Sequence, residues 1–184
     1  GTKQDFYIRL KQGHPTAFEE VLQWYANDVL RLATFILNNP EEAKDVLQET
    51  MLKFVEAVKK KRVHMNNGSI KPLIVTIAKN LCINRLKRSR RFVDVPEGNI
   101  DELPDRIDLQ TPRCTANRTE FEEAFQIALG HISPLQRTVL VLHELNRDSF
   151  QDIAEALGLS YECVKKNFYR GLKKMRILLE PFDR

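Results

Sequence analysis

The stretch SFQDIAEALGLSYECVKKNF, residues 149–168, leaves the backbone few choices. Ser149 is placed to cap a helix over FQDIAEAL, Gly158 to stop it, and Ser160 to cap a second helix running from Tyr161 to about Leu179. Gly158 can take the left-handed conformation that a tight turn between helices needs. Ala154 is small where the two helices must cross, and Val164 is set to pack back on the first helix, with Ile153, Leu157 and Leu159 around them. The pattern is that of a helix-turn-helix.

Advancing the second of these helices by about 100° per residue puts Val164, Phe168, Leu172 and Met175 on a core side. Lys166, Arg170 and Lys173 fall opposite, flanked by Glu162, Cys163 and Tyr169. Residues 163–176 carry six cations and no acid, which suits a helix seated in the major groove of DNA, early residues at base edges and later cations on phosphates.

Upstream, the chain reads as helical throughout. Phe18, Val21, Leu22, Tyr25, Val29, Ala33 and Ile36 recur at helical spacing over about 15–38, and Asn38-Asn39-Pro40 ends the run. A second helix is expected from Glu41 to about Lys60 with Leu47, Met51, Phe54 and Val58 inward, before MNNGS at 65–69 breaks the chain. A third begins at the N-cap Ser69, tolerates Pro72 in its first turn and buries Ile74, Ile77 and Leu81. Residues 92 to about 117 show no sustained apolar period and hold Pro96, Pro104 and Pro112 with Gly98 and Asn99, so they read as a linker. Beyond it, Glu120–Leu129 is amphipathic, and Ser133-Pro134-Leu135-Gln136 is set up as a capping box for a helix through Val139, Leu140 and Leu142. The expected fold is all-α: a helical bundle at 1–91, an acidic flexible linker at 92–117 and a helix-turn-helix bundle at 118–184.

Charge is distributed to match. Residues 59–91 hold eleven Lys and Arg and no carboxylate, whereas 92–130 hold three cations and nine acids. A solvated face mixes signs to avoid self-repulsion, so the cationic segment points to a polyanion. Along the third helix Asn80, Asn84, Lys87, Arg88 and Arg91 form one stripe, amides first and cations last; amides can read base edges while cations hold phosphates. On the second helix Asp45, Gln48, Glu49 and Leu52 share a side away from Leu47, Phe54 and Val58. That polar, partly acidic patch repels nucleic acid and suits a protein partner.

Several classes are set aside. Three cysteines without a CxxC pair indicate free thiols and a reducing compartment, and no stretch is long and apolar enough for a membrane span; a cytoplasmic protein is expected. The four histidines and three cysteines lack metal-ligand spacing, and neither a phosphate-binding glycine loop nor a nucleophile motif appears, so no catalytic residue, metal or cofactor is expected and the chain does not read as an enzyme.

Taken together, AKDVLQETMLKFVEAV, SIKPLIVTIAKNLCINRLKRSRR and the C-terminal ISPLQRTVLVLHELNRDSFQDIAEALGLSYECVKKNFYRGLKKMR resemble, in order, the polymerase-binding, minus-ten-reading and minus-thirty-five-reading segments of extracytoplasmic-function (ECF) sigma factors. Where that family usually carries an aromatic and a tryptophan, a frequent acid and a threonine, this chain has Ile70 and Leu73, Asn84 and Cys163. The resemblance implies that core RNA polymerase binds Asp45, Gln48, Glu49 and Leu52. It implies that minus-ten promoter DNA meets His64, Asn66, Asn67, Asn80, Asn84, Lys87, Arg88 and Arg91. Minus-thirty-five DNA would meet Ser160, Glu162, Lys165, Lys166, Asn167, Arg170 and Lys173, and an anti-sigma protein is an expected partner. The acidic linker then looks like a polyanion mimic bound for polymerase channels that normally hold nucleic acid. Two other readings stay open at this point: an ordinary helix-turn-helix regulator, and a sigma-like decoy that only titrates an anti-sigma protein.

Overall fold

The structure, a computed structural model, describes residues 2–60, 63, 69–89, 91–92 and 120–180. Among these residues there are eight helices and no strand, as expected for an all-α chain. Two compact units divide the chain, residues 1–85 and 86–184. The residues expected as an acidic linker lie, apart from Phe92, outside the described residues, as do His64, Asn66 and Asn67.

The first unit opens with a helix that periodicity alone did not reveal, α1 (Lys3–Lys11). Its start is locked by a capping box in which the Thr2 hydroxyl accepts from the Asp5 N–H and the Asp5 carboxylate accepts from the Thr2 N–H. Gly13, at φ 74°, reverses the chain, and Pro15 occupies the first position of α2 (Pro15–Leu37). Arg9 then pins α1 to α2 by donating to both carboxylate oxygens of Glu20 at 3.1 Å and to the Thr16 hydroxyl at 3.2 Å.

Asn38 adopts the left-handed conformation that closes α2, and the Asn39 side chain accepts from the Glu41 and Glu42 N–H groups to open α3 (Pro40–Lys59). The Asn-Asn-Pro punctuation therefore turns the chain tightly, laying α3 against α2. Their shared core includes Val21, Val29, Ala33, Ile36, Ala43, Val46 and Phe54, and the Phe18 ring meets Phe54 edge-on at 6.2 Å. Not every residue on the apolar stripes reaches this core. Leu22 is 41% exposed, and Phe18, Tyr25, Leu47 and Met51 are half-buried, because an apolar arc wider than one helix contact leaves its margins uncovered.

The next helix, α4 (Lys71–Arg88), begins two residues after Ser69, whose hydroxyl accepts from the Lys71 N–H. It buries Ile74, Ala78, Leu81, Cys82, Ile83 and Leu86, while Ile77 is only half-buried.

The second unit holds α5 (Glu120–Leu129), α6 (Pro134–Glu144), α7 (Phe150–Leu157) and α8 (Tyr161–Leu179). Ser149 and Ser160 cap α7 and α8 through the Asp152 and Cys163 N–H groups, each at 3.1 Å, and Gly158 sits at φ 70° between them. Val164, Ile153, Ala154 and Leu157 are buried where the two helices meet, and Phe168 and Met175 continue that buried side along α8. Leu172 is half-buried; Gly171, its neighbour, takes the tighter position, where an added Cβ would lie 3.3 Å from the Gln136 Cβ on α6. That approach also undoes half of the expected capping box. Ser133 accepts from the Gln136 N–H at 3.1 Å, but the Gln136 side chain is buried against α8, where its oxygen accepts from the Lys174 ammonium at 3.4 Å.

Candidate nucleic-acid and protein interfaces

The face of α3 predicted to meet a protein carries Asp45, Gln48 and Leu52 exposed, Leu52 at 67%, with Glu49 half-buried. Asp45 and Glu49 stand one helical turn apart, and Arg85 of α4 reaches across to both. Its guanidinium nitrogens lie 4.0 Å from an Asp45 oxygen and 3.6 Å from a Glu49 oxygen. Next to these residues runs an apolar groove of about 610 Å³ with Phe18, Leu22, Leu47, Met51 and Leu52 in its walls and Asp45 and Gln48 among its polar lining. Sequence reasoning missed this groove because it placed Phe18, Leu22, Leu47 and Met51 in the core. The only signal was the width of the apolar arcs on α2 and α3, more than a single helix-helix contact can cover. Glu19 and Lys44 also line the groove, so its polar rim is mixed in charge, and a largely apolar concavity of this kind suits a protein partner better than a nucleic acid.

On α4, Asn80, Asn84, Lys87 and Arg88 are all exposed, in the order and on the stripe that the sequence predicts. Arg91 is half-buried just past the helix end, its backbone N–H donating to the Leu86 carbonyl at 2.9 Å. Arg85 departs from the cationic run to which it belongs in sequence. It sits at the margin of the stripe, about 60° round the helix from Arg88, and its long side chain folds back toward α3. At the other end of α4, Lys71 pairs with Asp28 of α2 at 3.4 Å.

On α8, Glu162, Lys165, Lys166 and Lys173 are exposed, as is Tyr169, and Arg170 is half-buried. The Ser160 hydroxyl is engaged as an acceptor at the cap. Asn167 is half-buried and its amide donates to the Cys163 carbonyl at 2.9 Å, so it braces its own helix. Behind the turn, the His143 ring stacks on Phe150 at 4.3 Å and meets Phe168 edge-on at 4.7 Å, with Nδ1 2.9 Å from the Asp148 carbonyl oxygen. This cluster joins α6, α7 and α8 and holds the cationic helix at a set angle to α7.

Among the described residues no group of His, Cys, Asp and Glu could hold a metal, and no helix is long and apolar enough to cross a membrane.

Two family models match the chain in order: Sigma-70 region 2 over residues 21–92 and Sigma-70 region 4 over residues 122–175. Similar proteins include the RNA polymerase sigma-E factor of Streptomyces antibioticus, 28% identical over 180 residues that cover 95% of this chain and 91% of that protein. RNA polymerase sigma factor CarQ of Myxococcus xanthus is 25% identical over 178 residues, covering 95% and 96% of the two chains. ECF RNA polymerase sigma factor SigM of Bacillus subtilis is 22% identical over 163 residues, covering 87% and 93%. The chain belongs to the ECF sigma factor family. As an ECF sigma factor it directs transcription initiation with RNA polymerase, and neither matching model describes an enzyme. In this sigma factor the region 2 match contains both the α3 face and the α4 stripe, and the region 4 match contains the cationic side of α8. The helix α1 precedes the region 2 match.

Proposed function

We propose that the three surfaces divide the work of initiation. Asp45, Gln48, Glu49 and Leu52, with the apolar groove beside them, dock on core RNA polymerase. The α4 stripe reads the minus-ten element: Asn80 and Asn84 bond to edges of unstacked bases on the opened strand, and Lys87 and Arg88 hold phosphates beyond them. His64, Asn66 and Asn67, in the segment leading into α4, extend this contact. The cationic side of α8, through Lys165, Lys166, Arg170 and Lys173 with Ser160, Glu162 and Asn167 at its start, reads the minus-thirty-five duplex in the major groove.

The observation that carries the reading is the exposed α4 row, amides first and cations after, beside an acidic and apolar face of opposite chemistry on α3. An ordinary helix-turn-helix regulator needs neither. A decoy that only titrates a partner has no use for the outward amides and cations. The same α3 groove offers an anti-sigma protein a place to compete with polymerase, and the sites of action lie where polymerase is, in the cytoplasm.

Run-off transcription with core polymerase on a promoter library tests this directly. The full chain is expected to produce discrete transcripts from a subset of promoters, and Asn80→Ala to weaken opening there by about 1–3 kcal/mol for one lost base contact. Equal opening of every promoter by Asn80→Ala, with unchanged base preference, would reject the assignment of the stripe.

A further inference from the structure

We infer that Arg85 is a positioning residue for polymerase binding, although it belongs in sequence to the DNA-facing cationic run. This rests on the α3 face being the polymerase contact. Asp45 and Glu49 are like charges at i and i+4 on α3, an arrangement that by itself repels and splays the two side chains. Arg85 lies against both, at 4.0 and 3.6 Å, with its own side chain 29% exposed against 65% and 44% for the carboxylates. A guanidinium is a planar fork that presents separate nitrogens, Nη1 to Asp45 and Nη2 to Glu49, whereas a lysine ammonium has to reach both from a single nitrogen.

These separations exceed direct hydrogen-bond length, so the clasp is electrostatic and Arg85 does not itself fill the hydrogen-bonding positions of the carboxylate oxygens. The acids are held on one side of α3 yet keep lone pairs for a partner. Ordering such side chains before association removes a cost that binding would otherwise carry. The consequence is that one residue of the cationic run serves the polymerase face, while Lys87 and Arg88 on the same helix serve DNA.

The test is a double-mutant cycle on core polymerase binding by the full chain, with Arg85→Ala, Arg85→Lys, Glu49→Gln, Asp45→Asn and their combinations. Arg85→Ala should weaken core binding about two- to fivefold, the range of a partly exposed ion pair, and Arg85→Lys should fall between it and the parent. In the Asp45→Asn, Glu49→Gln background the effect of Arg85→Ala should shrink, whereas a folding defect would persist there in full. Holoenzyme containing Arg85→Ala should keep the parent's salt slope on promoter DNA. A loss of about 0.7–0.9 in that slope would make Arg85 a phosphate contact instead. Tighter or unchanged core binding by Arg85→Ala, with weakening by the Asp45 and Glu49 changes, overturns this inference alone. If those carboxylate changes leave core binding intact, the α3 assignment falls and takes the inference with it.

Discussion

At the scale of single residues, the two described cysteines show how burial separates identical side chains. Cys82 is fully enclosed in the first unit, and that burial pushes its thiol from the ordinary 9.0 up to about 12, with the nearby Arg85 guanidinium pulling the other way. Cys163 is half-exposed on α8. In a Cys114→Ser background, a thiol reagent at pH 8 is expected to label Cys163 promptly and Cys82 only after denaturant is added. The raised value also has a sign. The folded chain keeps the Cys82 proton up to pH about 12, while the unfolded chain releases it near 9.0, so the unfolded state binds fewer protons in that window. The contribution is fully present below pH 9.0 and is lost as pH rises toward 12. Urea unfolding midpoints should therefore fall less steeply between pH 9 and 11 in Cys82→Ala, a less stable variant at neutral pH, than in the parent.

At the scale of elements, punctuation residues govern how the helices end and meet. The Ser149 hydroxyl holds the Asp152 N–H at the start of α7, and Ser149→Ala should cost about 1 kcal/mol of stability, read as a lowered urea midpoint at unchanged m-value. Gly158, at φ 70° with no atom near enough to meet an added Cβ, is constrained by backbone conformation alone. Gly158→Ala should cost about 1–2 kcal/mol, with Gly158→Asn milder because a short polar side chain visits the left-handed region more readily. A steric cause would instead rank the two by size, with the larger Asn worse.

For the molecule as a whole, the prediction is that its tasks separate by surface. Lys166→Ala with Arg170→Ala should weaken binding to minus-thirty-five duplex by an amount that grows as salt is lowered, the slope falling by nearly one for each phosphate contact removed. Core polymerase binding by this double variant should match the parent's. The reverse pattern is expected when Asp45, Gln48 and Glu49 are all changed to Ala: co-purification with core enzyme is lost while the thermal transition of the free protein stays close to that of the parent. Unchanged co-purification would remove the polymerase assignment of the α3 face.

Much of this was legible in the chain itself. Ser149, Gly158 and Ser160 settle where α7 and α8 start and stop because capping and left-handed turns are local chemistry, decided by residues within one helical turn. The exposed stripe of Asn80, Asn84, Lys87 and Arg88 follows from helical spacing for the same reason. Tertiary packing decided what local periodicity cannot weigh. It left Leu22 and Met51 in the wall of a groove, drew Gln136 out of its cap toward Lys174 at the approach set by Gly171, and turned Arg85 from its cationic neighbours toward Asp45 and Glu49. In each case the outcome depends on which neighbouring helix arrives and how closely, a distance between residues far apart in sequence that no repeat along one helix can encode.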